Sequence, residues 1–111
     1  MEQKILTSKE EETPSTFIEY FGASPQIKVL DFLIEGQDFD YSMTEVARGA
    51  RVGWSAFSRV WDSLIEKEVI VQTRTIGNAK LFRINKANQI VKKIIQIDTD
   101  LTKISMNNLN L

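Results

Sequence analysis

Set at 100° intervals on a helix, residues 54–67 place Ser55, Arg59, Asp62 and Glu66 on one side, with Ser58 at its edge, opposite a stripe of Phe57, Val60, Trp61 and Leu64. The polar side has the chemistry to read base edges. A guanidinium can bond O6 and N7 of guanine bidentately, and hydroxyls exchange hydrogen bonds with either base type. A carboxylate such as Asp62 can accept from cytosine, orient Arg59, or simply repel phosphate. The same residues also fit a solvated face on which Arg59 and Asp62 pair at i, i+3. Reactive chemistry is scarce by comparison. The chain has no cysteine and no histidine, which removes thiolate nucleophiles, imidazole bases and the usual zinc ligands together. Asp38 and Asp40 have no base, nucleophile or metal cluster beside them and read as loop acids, so no enzyme, metal or cofactor is expected.

Charge is unevenly distributed along the 111 residues. The total is only −1, but residues 1–45 hold three lysines against ten acids, a net of −7. Residues 46–86 hold Arg48, Arg51, Arg59, Lys67, Arg74, Lys80, Arg83 and Lys86 against Asp62, Glu66 and Glu68, a net of +5. Residues 87–111 add +1. A basic middle of this kind makes a local positive face on a near-neutral molecule. Within it, Arg48 and Arg51 flank the start of residues 54–67, where they suit backbone phosphates. Arg74, Asn78 and Lys80 are expected near the tip of a hairpin. There they suit a minor groove or phosphate, or else guard an exposed strand edge against pairing.

Positioning these groups requires a particular series of elements. Residues 1–14, with three consecutive glutamates and then Thr13-Pro14, read as a flexible acidic arm. Residues 16–21 form an aromatic-rich turn or two of helix. Ser24-Pro25 opens a helix that Gly36 closes, with Ile27, Leu30, Leu33 and Ile34 at helical spacing. Ser42-Met43-Thr44-Glu45 is a capping box heading a short helix over residues 43–50. After the break at Arg51-Val52-Gly53 comes the helix over residues 54–67. Trp54 lies at the edge of its stripe and is counted with the recognition surface. Like Trp61, seven residues on, it is expected to anchor the core rather than stack on a base. Residues 69–76 and 80–84 are β-prone runs joined by Gly77-Asn78, a tight hairpin. Asn85 or Asn88 then caps a helix over residues 89–106, and residues 107–111 read as a frayed tail.

Helix, short helix, turn, longer helix, hairpin, helix is the order of a winged helix-turn-helix. Ala47 is the small residue at the crossing, with Val52, Phe57 and Val60 at the apolar spacing of two crossed helices. The fold class expected is mainly α with a small β-hairpin wing and a C-terminal dimerisation helix, the wing domain being residues 15–86. At residues 42–47, 64–71 and 74–85 the chain resembles the small winged-helix transcription regulators common in archaea. These are related to the multiple-antibiotic-resistance and arsenical-resistance types of repressor. The resemblance spans residues 17–100. Two positions depart from the family pattern: Arg51 stands where the turn usually has glycine, and Gly53 where the recognition helix usually has a serine cap. A turn of altered geometry is therefore expected.

Ile90, Ile94, Ile97, Leu101 and Ile104 recur every three or four residues, a heptad seam that Val91 and Ile95 widen beyond what one small domain covers. A homodimer joined through residues 87–106 is expected to bind a two-fold-related site. No apolar run exceeds three residues and the first residues lack the regions of a signal peptide, so a cytoplasmic protein is expected, without a membrane partner. These features together imply a double-stranded-DNA-binding transcription regulator. The competing reading is a winged-helix module that binds proteins in a transcription, replication or chromosome-partition assembly. No small-molecule effector is read from the sequence.

Overall fold

The computed structural model describes residues 14–109; the expected acidic arm up to residue 13 and the last two residues lie outside them. Among the described residues five helices and a hairpin follow in the order α1 (Thr16–Phe21), α2 (Pro25–Glu35), α3 (Met43–Ala50), α4 (Trp54–Glu66), β1 (Ile70–Ile76), β2 (Ala79–Ile84) and α5 (Gln89–Leu109).

Local hydrogen bonding sets most of the boundaries. Ser15 and Ser24 accept from the amides of Ile18 and Ile27 and start α1 and α2. At α3 both halves of the capping box are formed: Ser42 N–H donates to Glu45 Oε1 at 2.8 Å, and Glu45 N–H to Ser42 Oγ at 3.2 Å. Asn88, rather than Asn85, caps α5 by accepting from the amides of Ile90 and Val91. That helix continues to Leu109, so residues 107–109 are helical where a frayed tail was expected.

Antiparallel β1 and β2 join through Gly77-Asn78, with Ile76 opposite Ala79. Gly77 has φ 59° and Asn78 does not share the positive sign, as in a type II′ turn, which a side chain at the first position would strain. The register shifts between Gln72 and Arg74, leaving Thr73 as a bulge. A third strand element was not expected. Tyr41, in the segment read as loop, exchanges both backbone hydrogen bonds with Phe82 at 2.8 Å.

One core joins all of these elements. Val29, Leu33, Ile34, Val46, Phe57, Trp61, Leu64, Ile84 and Val91 are buried, and α2 packs against α1, α3, α4 and β2. Ala47 is buried as expected. Gly49 marks a second close approach, of α3 to α2, where an added Cβ would collide with the Phe32 ring. α5 docks on α1 through Leu101, whose burial beside that of Phe17 closes this end of the core.

Candidate nucleic-acid interface

α4 is held by one face and offers the other. Phe57, Trp61 and Leu64 are buried, while Ser55, Arg59, Asp62 and Glu66 are exposed, as helical phasing requires. The i, i+3 ion pair considered for Arg59 and Asp62 is not formed, and Arg59 has no partner among the described residues. Ser58 differs from expectation. It is half-buried and its hydroxyl donates to the Trp54 carbonyl at 2.8 Å, so its proton is engaged within the helix and only lone pairs face outward. Trp61 anchors the core at 2% exposure, but Trp54 does not: it is 54% exposed. At the first position of α4, its ring stacks on Phe57 of the interior.

The turn before α4 carries the two expected departures. Arg51 ends α3 with φ 61° and ψ 47°, the left-handed conformation that glycine favours. The change of residue type is thus not matched by a change of backbone form there. Val52 N–H donates to the Ala47 carbonyl at 3.0 Å and closes the turn. Gly53 is the N-cap and supplies no side-chain bond to the first amides of α4. Arg48 and Arg51 are both exposed, and the Arg51 carbonyl accepts from Lys28 Nζ at 3.4 Å.

In the hairpin the expected trio divides. Asn78 sits in the turn and Lys80 follows it opposite Thr75, both exposed. Arg74 is not available in the same way. Its Nε and Nη2 donate to the two oxygens of Asp40 at 2.9 and 3.2 Å, and Thr73 Oγ1 donates to Asp40 Oδ2 at 2.6 Å. The Asp40 side chain is only 14% exposed, and the guanidinium, then Thr73, hold its pKa down at about 2. Lys86 bonds Asp38 at 2.9 Å and lowers that carboxyl as well. The α2–α3 loop therefore grips the hairpin at Tyr41 and Asp40 and the segment just after it at Asp38. Arg74 and Lys86, both counted in the basic surplus of residues 46–86, are thus engaged by acids from outside that segment. This tie was missed in the sequence because its partners lie 34 to 48 residues apart, where no periodicity links them.

The C-terminal seam is also divided. Leu101 is buried at 8% exposure in the chain's own core and Ile94 is half-buried. Ile90, Ile97 and Ile104 are 60%, 42% and 49% exposed, one line at heptad spacing. Beneath this helix three carboxyls approach one another. Asp98 is pushed up by burial and by Asp31, and Glu35 by burial and by both of these. Burial also raises Asp31, although the Ser15 hydroxyl that donates to it at 2.8 Å opposes the shift. Asp31 and Glu35 line an open cleft of about 390 Å³ with Lys28, Phe32 and Gly49. Among the described residues no acidic cluster could hold a metal ion, and no helix is long and apolar enough to cross a membrane.

A helix-turn-helix, a tied hairpin wing and a long C-terminal helix make this a MarR-like winged-helix fold. The MarR family transcriptional regulator SPO1453 from Silicibacter pomeroyi DSS-3 matches with a TM-score of 0.59 at 14% identity, over 95% of this chain and 78% of that one. MepR, a transcription regulator of the Staphylococcus aureus multidrug efflux pump MepA, matches at 0.57 and 13% over 95% and 79%. A possible transcriptional regulator from Methanosarcina mazei Go1 matches at 0.50 and 18% over 77% and 71%. At such identities the likeness is one of fold. No family model and no curated protein matches the sequence.

Proposed function

We propose that the protein is a sequence-specific, double-stranded-DNA-binding transcription regulator that acts as a homodimer without enzymatic activity. α4 enters the major groove, and the wing meets the adjacent minor groove or backbone. The observation that carries this reading is Arg59: a guanidinium without a partner among the described residues, on the outer face of a helix whose inner face is locked in the core. Ser55 and Asp62 share that face, Arg48 and Arg51 stand at the preceding turn, and Lys80 lies beside the wing turn. Likeness of fold to solved transcription regulators adds to the reading. Titration of labelled duplexes at low ionic strength tests it: binding with preference for some sequences is expected, and no retained duplex would refute it.

The dimer is assigned to the line Ile90, Ile97 and Ile104, with half-buried Ile94 at its flank and Leu101 left to the chain's own core. Three large exposed side chains repeating at heptad spacing match the seam of a two-stranded helix pair. Ile97→Glu would bury a carboxylate in both subunits, each costing several kcal/mol. Sedimentation should therefore give a dimer for the parent and a folded monomer for the variant. A monomeric parent contradicts the assignment.

A second reading, a module that docks on proteins, draws on the hairpin, which exposes Val71 and Ile76 while Arg74 is engaged. Duplex titration separates the two.

A further inference from the structure

We propose that Trp54 reads the C5-methyl group of a thymine in the major groove, as the apolar member of the recognition surface; this rests on the reading of α4 as the groove-bound helix. Trp54 is the first residue of α4, the end from which such helices contact base edges. It is 54% exposed, the largest side chain on the outer part of that helix. Its position is fixed from behind. The indole stacks on Phe57 with centroids 5.3 Å apart and planes at 28°, and Phe57 stacks on Trp61 at 5.1 Å and 25°. Trp61 meets the Phe82 ring edge-on at 5.2 Å. Phe57 and Trp61 are buried, and the backbone of Phe82 is paired with Tyr41 at the root of the wing. Trp54 is therefore the exposed end of an aromatic column that runs through the core. Ser58 adds a bond to its carbonyl. A side chain ordered before binding loses little rotamer freedom on contact.

The chemistry narrows what such an end can meet. An indole offers an apolar face, one N–H donor and no acceptor. In B-form DNA the base faces are stacked on one another, so a major-groove helix meets only their edges. The one apolar group that those edges present is the thymine methyl. Covering it with the free face of Trp54 removes apolar surface from water on both partners. A donor contact from the indole N–H to phosphate, by contrast, would be the same for every sequence.

The test removes the methyl and nothing else. The duplex most enriched by the parent protein from a random-sequence pool is synthesised again with each thymine in turn replaced by deoxyuridine. Binding of the parent should weaken about fourfold per half-site at one thymine, the factor for one buried methyl group. Trp54→Ala should bind the thymine and uridine duplexes equally, and Trp54→Phe should keep part of the difference. Iodide quenching gives a readout on the unmodified protein: of the two tryptophans the exposed one should be quenched in free protein and shielded on the thymine duplex. If duplex binding is strong and salt-dependent but no uridine substitution weakens it, this inference alone is overturned. Equal uridine losses in parent and Trp54→Ala overturn it too. Should no duplex be retained at all, the reading of α4 fails and takes the inference with it.

Discussion

The helix-turn-helix and the wing carry similar basic residues in the sequence and use them differently in the fold. Around the turn, Arg48 and Arg59 are exposed without ion-pair partners among the described residues, on helices whose inner faces are buried apolar residues. In the wing, Arg74 is engaged by Asp40, as Lys86 just beyond β2 is by Asp38, and Lys80 is the basic residue left beside the tip. A two-stranded hairpin has little core of its own and is marginal in water by itself. Here ion pairs and the Tyr41 bridge supply part of the anchoring that burial supplies to α4. A cation in a basic segment is thus either a ligand contact or a brace, and its nearest acid decides which.

The largest separation between the regions should come from Arg59→Ala against Lys80→Ala. Loss of Arg59 should remove about 1 to 3 kcal/mol of discrimination at one base pair. Loss of Lys80 should weaken all duplexes about equally. Competition titrations with single-base-pair variants check this, and equal, sequence-independent losses from both changes would reduce Arg59 to a phosphate contact.

Next in size is the brace. Arg74→Ala should speed amide exchange across β1 and β2 while leaving α4 protected. Its pH dependence follows from the lowered carboxyl: the contribution of Asp40 is present above its unfolded value near 3.8 and is lost as the pH falls through about 2. Hairpin protection in the parent should therefore hold from neutral pH down to mildly acid conditions and collapse toward pH 2. Collapse well above the ordinary aspartate range would show that Asp40 does not hold the wing.

The smallest effect sharpens the turn side of the contrast. Arg51→Gly relieves a left-handed non-glycine residue by about 1 to 2 kcal/mol. This gain is offset by glycine's greater freedom when unfolded and by loss of the side chain's own interactions, so the net change in denaturant unfolding should stay within about 1 kcal/mol. Duplex affinity should fall in the same variant, because the guanidinium is gone. A variant that binds as well as the parent would remove Arg51 from the interface.

What the sequence made legible was local. The capping box at Ser42 and Glu45, the Pro25 to Gly36 bracket, the Gly77-Asn78 turn and the phase of α4 all rest on spacings of two to four residues or on element ends. Three things were not legible. The brace between Asp40 and Arg74 joins distant loops, and charge totals count both partners as if free. Trp54 has a stripe-edge position from which either burial or exposure was possible, and only the packing of Phe57 decides it. In α5 the face packed on the domain comprises Val91, Ile94, Ile95, Asp98 and Leu101, and Ile90, Ile97 and Ile104 lie about 100° around the helix from its centre. A single heptad seam read from the sequence merged two faces that have different neighbours.

The central claim is that the turn and α4, with only Lys80 from the wing, present the charges that meet DNA. The direct measurement is the slope of log K against log salt for duplex binding. With Arg48, Arg51 and Lys80 of each of two subunits neutralising one phosphate apiece, the slope should be about −5, at about −0.9 per phosphate. Arg74→Ala should leave it unchanged, while Lys80→Ala should reduce its magnitude by about 1 per subunit. A parent that binds without salt dependence, or an Arg74→Ala variant that flattens the slope as much as Lys80→Ala, would contradict the account.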